Sequence, residues 1–236
     1  MTTVHLIGGG PGAIMSTRRH LKQAISACGV KKPLVAYVGA ASNDNLGFQK
    51  MLSAMFVGSG ASIKGVMLAR KNAKVSTALQ LLADCDLVFV SGGDVEHGMN
   101  VVNERGVGDD LRRLSAAGKP FIGISAGAIM TGQGWVRFPN DDETKAEPFP
   151  CLGIAPLHMD AHSEQDDWSE LRVLVRLLAR REDDALGYGV PAKGCLRVEL
   201  GGGGGAKLTA LGAPIARIAA KGGEVVAKAP LAPRKE

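Results

Sequence analysis

The sequence predicts an α/β fold: a three-layer α/β/α arrangement on a mainly parallel, doubly wound sheet, with antiparallel strands toward the C-terminus. Three observations carry this. Short apolar runs alternate with helix-compatible stretches from the N-terminus to about residue 133, the order that produces parallel strands joined by crossover helices. Glycine-bearing turns follow the apolar runs that end near residues 7, 90 and 124. Beyond residue 185 the chain breaks into short extended segments with no helical stretch between them.

In order, residues 4–7 read as a strand, 8–12 as a glycine turn and 13–28 as a helix. Residues 34–38 are a second strand and 45–57 a helix whose apolar members are Leu46, Met51, Leu52, Met55 and Phe56. Residues 63–68 form a third strand, 76–83 a helix capped from Ser76, and 86–90 a fourth strand ending in Ser91-Gly92-Gly93-Asp94. Helical segments interrupted near Gly106-Val107-Gly108 precede a strand at 121–124. After Thr131 the pattern changes. Residues 135–138 read as a strand and 139–150, polar and bounded by prolines, as a loop. Residues 166–181 read as an amphipathic helix, with Leu171, Leu174, Val175 and Leu178 at helical spacing. Extended segments at 186–190, 195–200, 207–211, 215–220 and 224–227 follow, with residues 201–205 as a turn. The expected organisation is one domain over residues 1–229 and a disordered tail over 230–236.

Composition narrows the function classes. A chain of 236 residues with 45% hydrophobic and 22% charged residues is ordinary for a globular protein. The net charge of +5 is spread along the chain and not gathered on a face interleaved with aromatics, so nucleic-acid binding is not expected. The four cysteines, Cys28, Cys85, Cys151 and Cys195, are far apart and form no CxxC, which argues against a zinc site or a disulfide framework. The N-terminus lacks the basic and apolar regions of a leader, and no apolar run approaches the roughly 20 residues of a membrane span. A cytoplasmic protein with no membrane association is the expectation, with a homodimer as the base-rate oligomer.

The chemistry centres on Gly123-Ile-Ser125-Ala-Gly127. A serine on a sharp strand-to-helix turn is a nucleophile elbow, and the glycines on either side let strand and helix approach closely. Free N–H groups at the start of the following helix are suited to an oxyanion. The glycines at residues 8–12 invite a dinucleotide reading, but the second strand ends in Gly39-Ala-Ala-Ser42, with no acid for a ribose. A tight turn near the ligand edge is the better reading, and no cofactor is expected.

An elbow serine needs a base. Of the five histidines, His5 lies in the first strand and reads as structural, and His20 lies beside two arginines on a solvated helix face. His97 follows the Gly92-Gly93 turn. His158 and His162 share the segment Pro156-Leu-His158-Met-Asp160-Ala-His162.

These motifs resemble the dipeptidase E and cyanophycinase family of serine peptidases, which have the class I glutamine amidotransferase-like fold. The resemblance runs from residue 4 to about 227. It rests on Gly123-Ile-Ser125-Ala-Gly-Ala128, on the earlier Ser91-Gly92-Gly93-Asp94 turn, and on Leu152-Gly-Ile-Ala-Pro156 leading to His162. It implies a serine hydrolase cleaving small peptides, with Ser125 as nucleophile and His162 as general base, His158 ranking second. It implies oxyanion donors at Gly93 and Ala126. It places the orienting acid in Asn140-Asp141-Asp142, with Asp141 chosen and Asp142 and Asp160 as alternatives. Gly92, Asp94, His97 and His158 are the expected substrate-facing residues. The family commonly has a further glycine and an Asn-Thr pair after Gly-Gly, where this chain has Asp94-Val-Glu96-His97, which puts acidic or cyanophycin specificity in doubt.

Two other readings compete. His158-x-Asp160-x-His162 puts three ligand-type side chains on one face of an extended segment, the pattern of a metal-dependent hydrolase. The altered turn also fits a non-catalytic binding or regulatory protein on the same scaffold. A glutamine amidotransferase is disfavoured because the elbow carries serine where that chemistry uses a thiolate.

Overall fold

The computed structural model describes residues 2–181, 184–201 and 205–234. Strand β1 (Thr2–Ile7) leads through the glycine turn to helix α1 (Ile14–Ala27), and β2 (Leu34–Val38) to α2 (Leu46–Ser53). Asn45 caps α2, its side chain accepting from the Phe48 N–H at 2.9 Å. A short 3-10 turn over Ala54–Phe56 completes what the sequence suggests as one helix. Then come β3 (Ser62–Val66), α3 (Val75–Asp84), β4 (Leu87–Val90), α4 (Val95–Glu104) and α5 (Gly108–Ala116). Gly106, at φ 67°, separates the last two, as its sequence position indicates. Next are β5 (Phe121–Ile124), α6 (Ala126–Thr131), β6 (Gly134–Arg137), β7 (Glu147–Pro150) and β8 (His158–Ala161). The chain continues through α7 (Ser169–Leu178), β9 (Leu186–Val190), β10 (Cys195–Leu200), β11 (Ala206–Leu211), β12 (Ile215–Lys221) and β13 (Glu224–Leu231).

Among the described residues the main sheet has seven strands in the order β11-β10-β1-β5-β4-β2-β3. Strands β1 to β5 are mutually parallel, while β10 and β11 are antiparallel to their neighbours. This is the mainly parallel, helix-flanked sheet that the alternating pattern predicts. β5 lies between β1 and β4, so the turns after these three strands meet at one sheet edge, where ligands bind in open α/β sheets.

Both sheet faces are buried. One packs Ile7, Val35, Tyr37, Phe89 and Ile122 against Leu21 and Ile25 of α1 and Leu52 of α2. The other packs Leu6, Val38, Val88 and Phe121 against Leu82 of α3, Val102 of α4 and Leu111 of α5. A four-stranded sheet, β13-β12-β9-β8, and the hairpin of β6 and β7 make a second layer, where Leu171, Leu174, Val175 and Leu178 of α7 are buried.

Several expectations change. Residues 139–150 contain β7, paired with β6 in antiparallel register from Gly134↔Pro150 to Arg137↔Glu147. Prolines at 148 and 150 argue against a central strand but are tolerated in a two-stranded ribbon. The 166–181 helix starts only at Ser169, because Asp167 and Trp168 take φ of 47° and 59°. The tail is ordered through residue 234: β13 runs to Leu231, Pro233 bridges to Ala210, and the Arg234 N–H donates to the Ala210 carbonyl. Lys235 and Glu236, and most of the expected 201–205 turn, lie outside the described residues. Among the described residues no helix is long and apolar enough to cross a membrane.

Candidate active site

Ser125 stands at the end of β5 with φ 54° and ψ −126°, a strained conformation for a residue with a side chain. Its surroundings hold it there. The Ser125 N–H donates to the Ile7 carbonyl at 3.0 Å, and its own carbonyl accepts from Ala128 at 2.8 Å and Ile129 at 3.2 Å. The flanking glycines are sterically required. A Cβ on Gly123 would lie 2.6 Å from Ala128 Cα, and one on Gly127 would lie 2.2 Å from the Val90 carbonyl oxygen.

His162 reaches the serine from the second sheet. Along β8 the side chains alternate, so His158 and Asp160 share a face. His162 breaks the alternation: its φ is 48° while its N–H still donates to the Val190 carbonyl at 2.9 Å. The result is a 2.8 Å hydrogen bond between His162 Nε2 and Ser125 Oγ. Gly10, at φ 90°, lies against the ring, and a Cβ there would come within 3.0 Å of His162 Cγ. Gly10→Ala is therefore expected to shift the imidazole by a few tenths of an ångström and to cut kcat/KM by about 10-fold, less than the roughly 100-fold of a 1 Å misplacement. Steady-state kinetics beside a thermal melt check it; unchanged kinetics would mean the ring is not held from that side.

The carboxylates are distributed differently from the expected triad. Asp141 is exposed at φ 57° in a 3-10 turn, its N–H donating to the Phe138 carbonyl. Among the described residues neither it nor any other carboxylate is ion-paired to His162. Asp142 is committed to its own turn, bonded to the Thr144 N–H and hydroxyl and to Lys145 at 2.8 Å. Those bonds, Lys145 first, hold its carboxyl below the usual range.

Asp160 is 3% exposed. One oxygen accepts from the Ala161 N–H at 2.7 Å, and the other, Oδ2, is buried without a hydrogen-bond partner. Burial above all, with Glu170 and Asp166 adding repulsion, raises its carboxyl from 3.8 to about 6. A carboxyl raised in the folded state destabilises the fold as pH climbs from the unfolded value through the folded one. Relative to the native chain, Asp160→Asn is thus expected to gain about 3 kcal/mol between pH 3 and pH 8. Urea titrations of both proteins at the two pH values measure this; a pH-independent difference would contradict it.

The other expected residues separate into groups. Gly92 and Gly93 lie beside the serine: a Cβ on Gly92 would be 3.2 Å from Ser125 Cβ, and Gly93, at φ 146°, passes so close to the Ala41 carbonyl that only glycine fits. Ala126 opens α6, where the first N–H groups have no intrahelical acceptor. Asp94 caps α4 by accepting from the His97 N–H at 2.6 Å, and both residues are exposed. His158 is half-buried with its ring over Gly134 of β6. His20 corrects the sequence reading. It is buried, not solvated, with Nε2 3.0 Å from the Lys193 carbonyl. Burial above all, then Arg197, lowers the imidazole of His5 to about 4, consistent with a structural residue. The three-residue metal set does not come together: no group of three or more His, Cys, Asp or Glu side chains among the described residues is arranged to hold a metal ion.

A cavity of about 340 Å³ opens beside Ser125. Its side chains come largely from α1, α2 and the 3-10 turn after it, including Ile14, Phe48, Met51 and Met55, which the motif reading did not connect with the site. The sequence carried no separate signal: Phe48, Met51, Leu52 and Met55 recur at the spacing of one ordinary apolar helix face, and only the fold leaves Met51 52% exposed.

An α/β sheet with an elbow serine hydrogen-bonded to a histidine at the strand C-termini defines the serine-hydrolase class of site. Within that class, the profile of peptidase family S51 matches residues 4–202, and the chain belongs to that family. It is 33% identical over 84 residues to Peptidase E of Shewanella denitrificans, a match spanning 35% of this chain and 35% of that protein. The fold is that of a peptidase from an acI-B1 Actinobacterium, with a TM-score of 0.70 and 18% identity over 97% of both chains. A putative Peptidase E from Listeria monocytogenes EGD-e superposes with a TM-score of 0.60 and 14% identity, over 97% of this chain and 98% of that one.

Proposed function

We propose that the protein is a serine peptidase that cleaves small peptides through an acyl-enzyme. The carrying observation is the 2.8 Å contact between Ser125 Oγ and His162 Nε2 on a strained elbow. In this reading His162 takes the hydroxyl proton as Ser125 attacks the peptide carbonyl, then gives it to the leaving amine. Water, activated by the same imidazole, releases the acyl group. The N–H groups of Ala126 and Gly93 receive the oxyanion. Neither a metal nor a nucleotide takes part in this mechanism.

The orienting acid in this proposal is Asp141. Its side chain is exposed and makes no hydrogen bond or ion pair among the described residues, whereas Asp142 is held by its turn and Asp160 is buried. Its role requires the carboxylate to swing onto His162 Nδ1 when substrate binds. Asp141→Ala is expected to lower kcat by about 100-fold or more with little change in KM, since the acid acts on the imidazolium of the transition state. A kcat within about threefold of the native value would leave a Ser125–His162 pair working without it. Hydrolysis of a dipeptide panel, with His162→Ala as the inactive reference, tests the whole reading.

A further inference from the structure

Resting on the peptidase reading above, we propose that the cavity beside Ser125 is the pocket for the side chain of the residue whose carbonyl is attacked, and that it selects an apolar side chain. The cavity is lined by Ile14, Phe48, Met51, Leu52, Met55 and Ile124, with glycine backbone from the turns after β1 and β4. No charged side chain lines it; the polar side chains are the Thr17 and Ser125 hydroxyls.

Position assigns the side of the scissile bond. The leaving amine must lie against His162, which protonates it. The cavity borders Ser125 and the Gly92-Gly93 turn directly and meets the His162 side only through the backbone of Gly10, so we place it on the acyl side of the attacked carbonyl. Gly93 lies in its wall, so an oxyanion held by the Gly93 N–H of the proposed mechanism leaves the adjoining Cα beside the apolar space.

The lining chemistry sets the preference. At about 340 Å³ the space is large enough for a leucine-, methionine- or phenylalanine-sized side chain. Two methionines in the wall adapt to different apolar shapes, so the preference is broad within that class. A carboxylate or ammonium entering it would lose its hydration with no opposite charge among the lining residues. Ile14 and Met51 are 58% and 52% exposed, apolar surface at the mouth that a substrate side chain would cover.

The test compares aminoacyl p-nitroanilides of leucine, methionine, phenylalanine, alanine, aspartate and lysine with the full chain, alongside fluorophosphonate labelling of Ser125. kcat/KM for leucine, methionine and phenylalanine is expected to exceed that for aspartate or lysine by about 100-fold or more, and that for alanine by about 10-fold or more. Met51→Arg is expected to narrow the leucine-to-aspartate ratio by about 10-fold or more. Labelled Ser125 with aspartate or lysine preferred, or with no preference, overturns this inference and leaves the peptidase reading intact. Absence of both labelling and hydrolysis overturns both. A Met51→Arg protein that keeps the native ratio but changes its elution volume makes the apolar mouth a subunit contact and also overturns it.

Discussion

Ser125→Gly is expected to abolish turnover and at the same time to make the protein more stable than Ser125→Ala. The activity loss follows from removing the attacking oxygen and should reach about 10⁴-fold or more in kcat/KM. The stability difference follows from the backbone. At φ 54° and ψ −126°, residue 125 occupies a region that glycine enters freely and a residue with a Cβ enters under strain. Such strain costs about 1–3 kcal/mol. Alanine keeps it; glycine removes it but gives back about 0.5–1 kcal/mol through its freer unfolded chain. The net expectation is about 1 kcal/mol in favour of glycine over alanine, or about 2–4 °C in Tm for a chain of this size. Calorimetry on the two variants decides it. Equal melting temperatures would mean the elbow is not held under strain.

The second large effect is at Gly127. In most helices Gly→Ala stabilises by about 1 kcal/mol through propensity. Here the added methyl would sit 2.2 Å from the Val90 carbonyl oxygen and 2.6 Å from that of Ser91, both backbone atoms at the end of β4. Neither can rotate away, so either α6 or the β4 turn must shift, an overpacking cost of about 3 kcal/mol. The clash wins, and Gly127→Ala is expected to lose about 2 kcal/mol in urea unfolding. The surviving folded protein should also be about 100-fold slower, because α6 and the Gly92-Gly93 turn are displaced relative to Ser125. A variant as stable as the native chain would contradict the close approach of strand and helix.

These effects were legible in the sequence to different depths. Strands β2 and β5 read directly, because strands buried on both faces are continuous apolar runs between polar or glycine boundaries. The elbow read directly too, because Gly123 and Gly127 flank Ser125 in a five-residue motif, although the contact that demands Gly127 is with the end of β4, distant in sequence. The preference of Ser125 for His162 over His158 was available from resemblance alone. In an extended strand the two histidines would share a face, and what separates them is one backbone angle, φ 48° at residue 162. β7 was hidden by its prolines, and the order of residues 230–234 by their pairing with Ile215 of β12 and with Ala210 of β11, which no local pattern announces. The cavity wall was hidden because α1 and α2 meet the elbow only through the sheet order β1-β5-β4. The burial of His20 depends likewise on Lys193, far away in sequence.

The most direct test of the account is to label the protein with a small sulfonyl fluoride and a fluorophosphonate and to map the adduct by mass spectrometry, with Ser125→Ala and His162→Ala in parallel. An activated serine requires that the adduct sit on Ser125, that Ser125→Ala give none, and that His162→Ala label at least about 100-fold more slowly, the scale of a general base's contribution. Failure of both probes to react with folded protein, or labelling at Ser125 that proceeds equally well without His162, would contradict the claim that these two residues form the reactive centre.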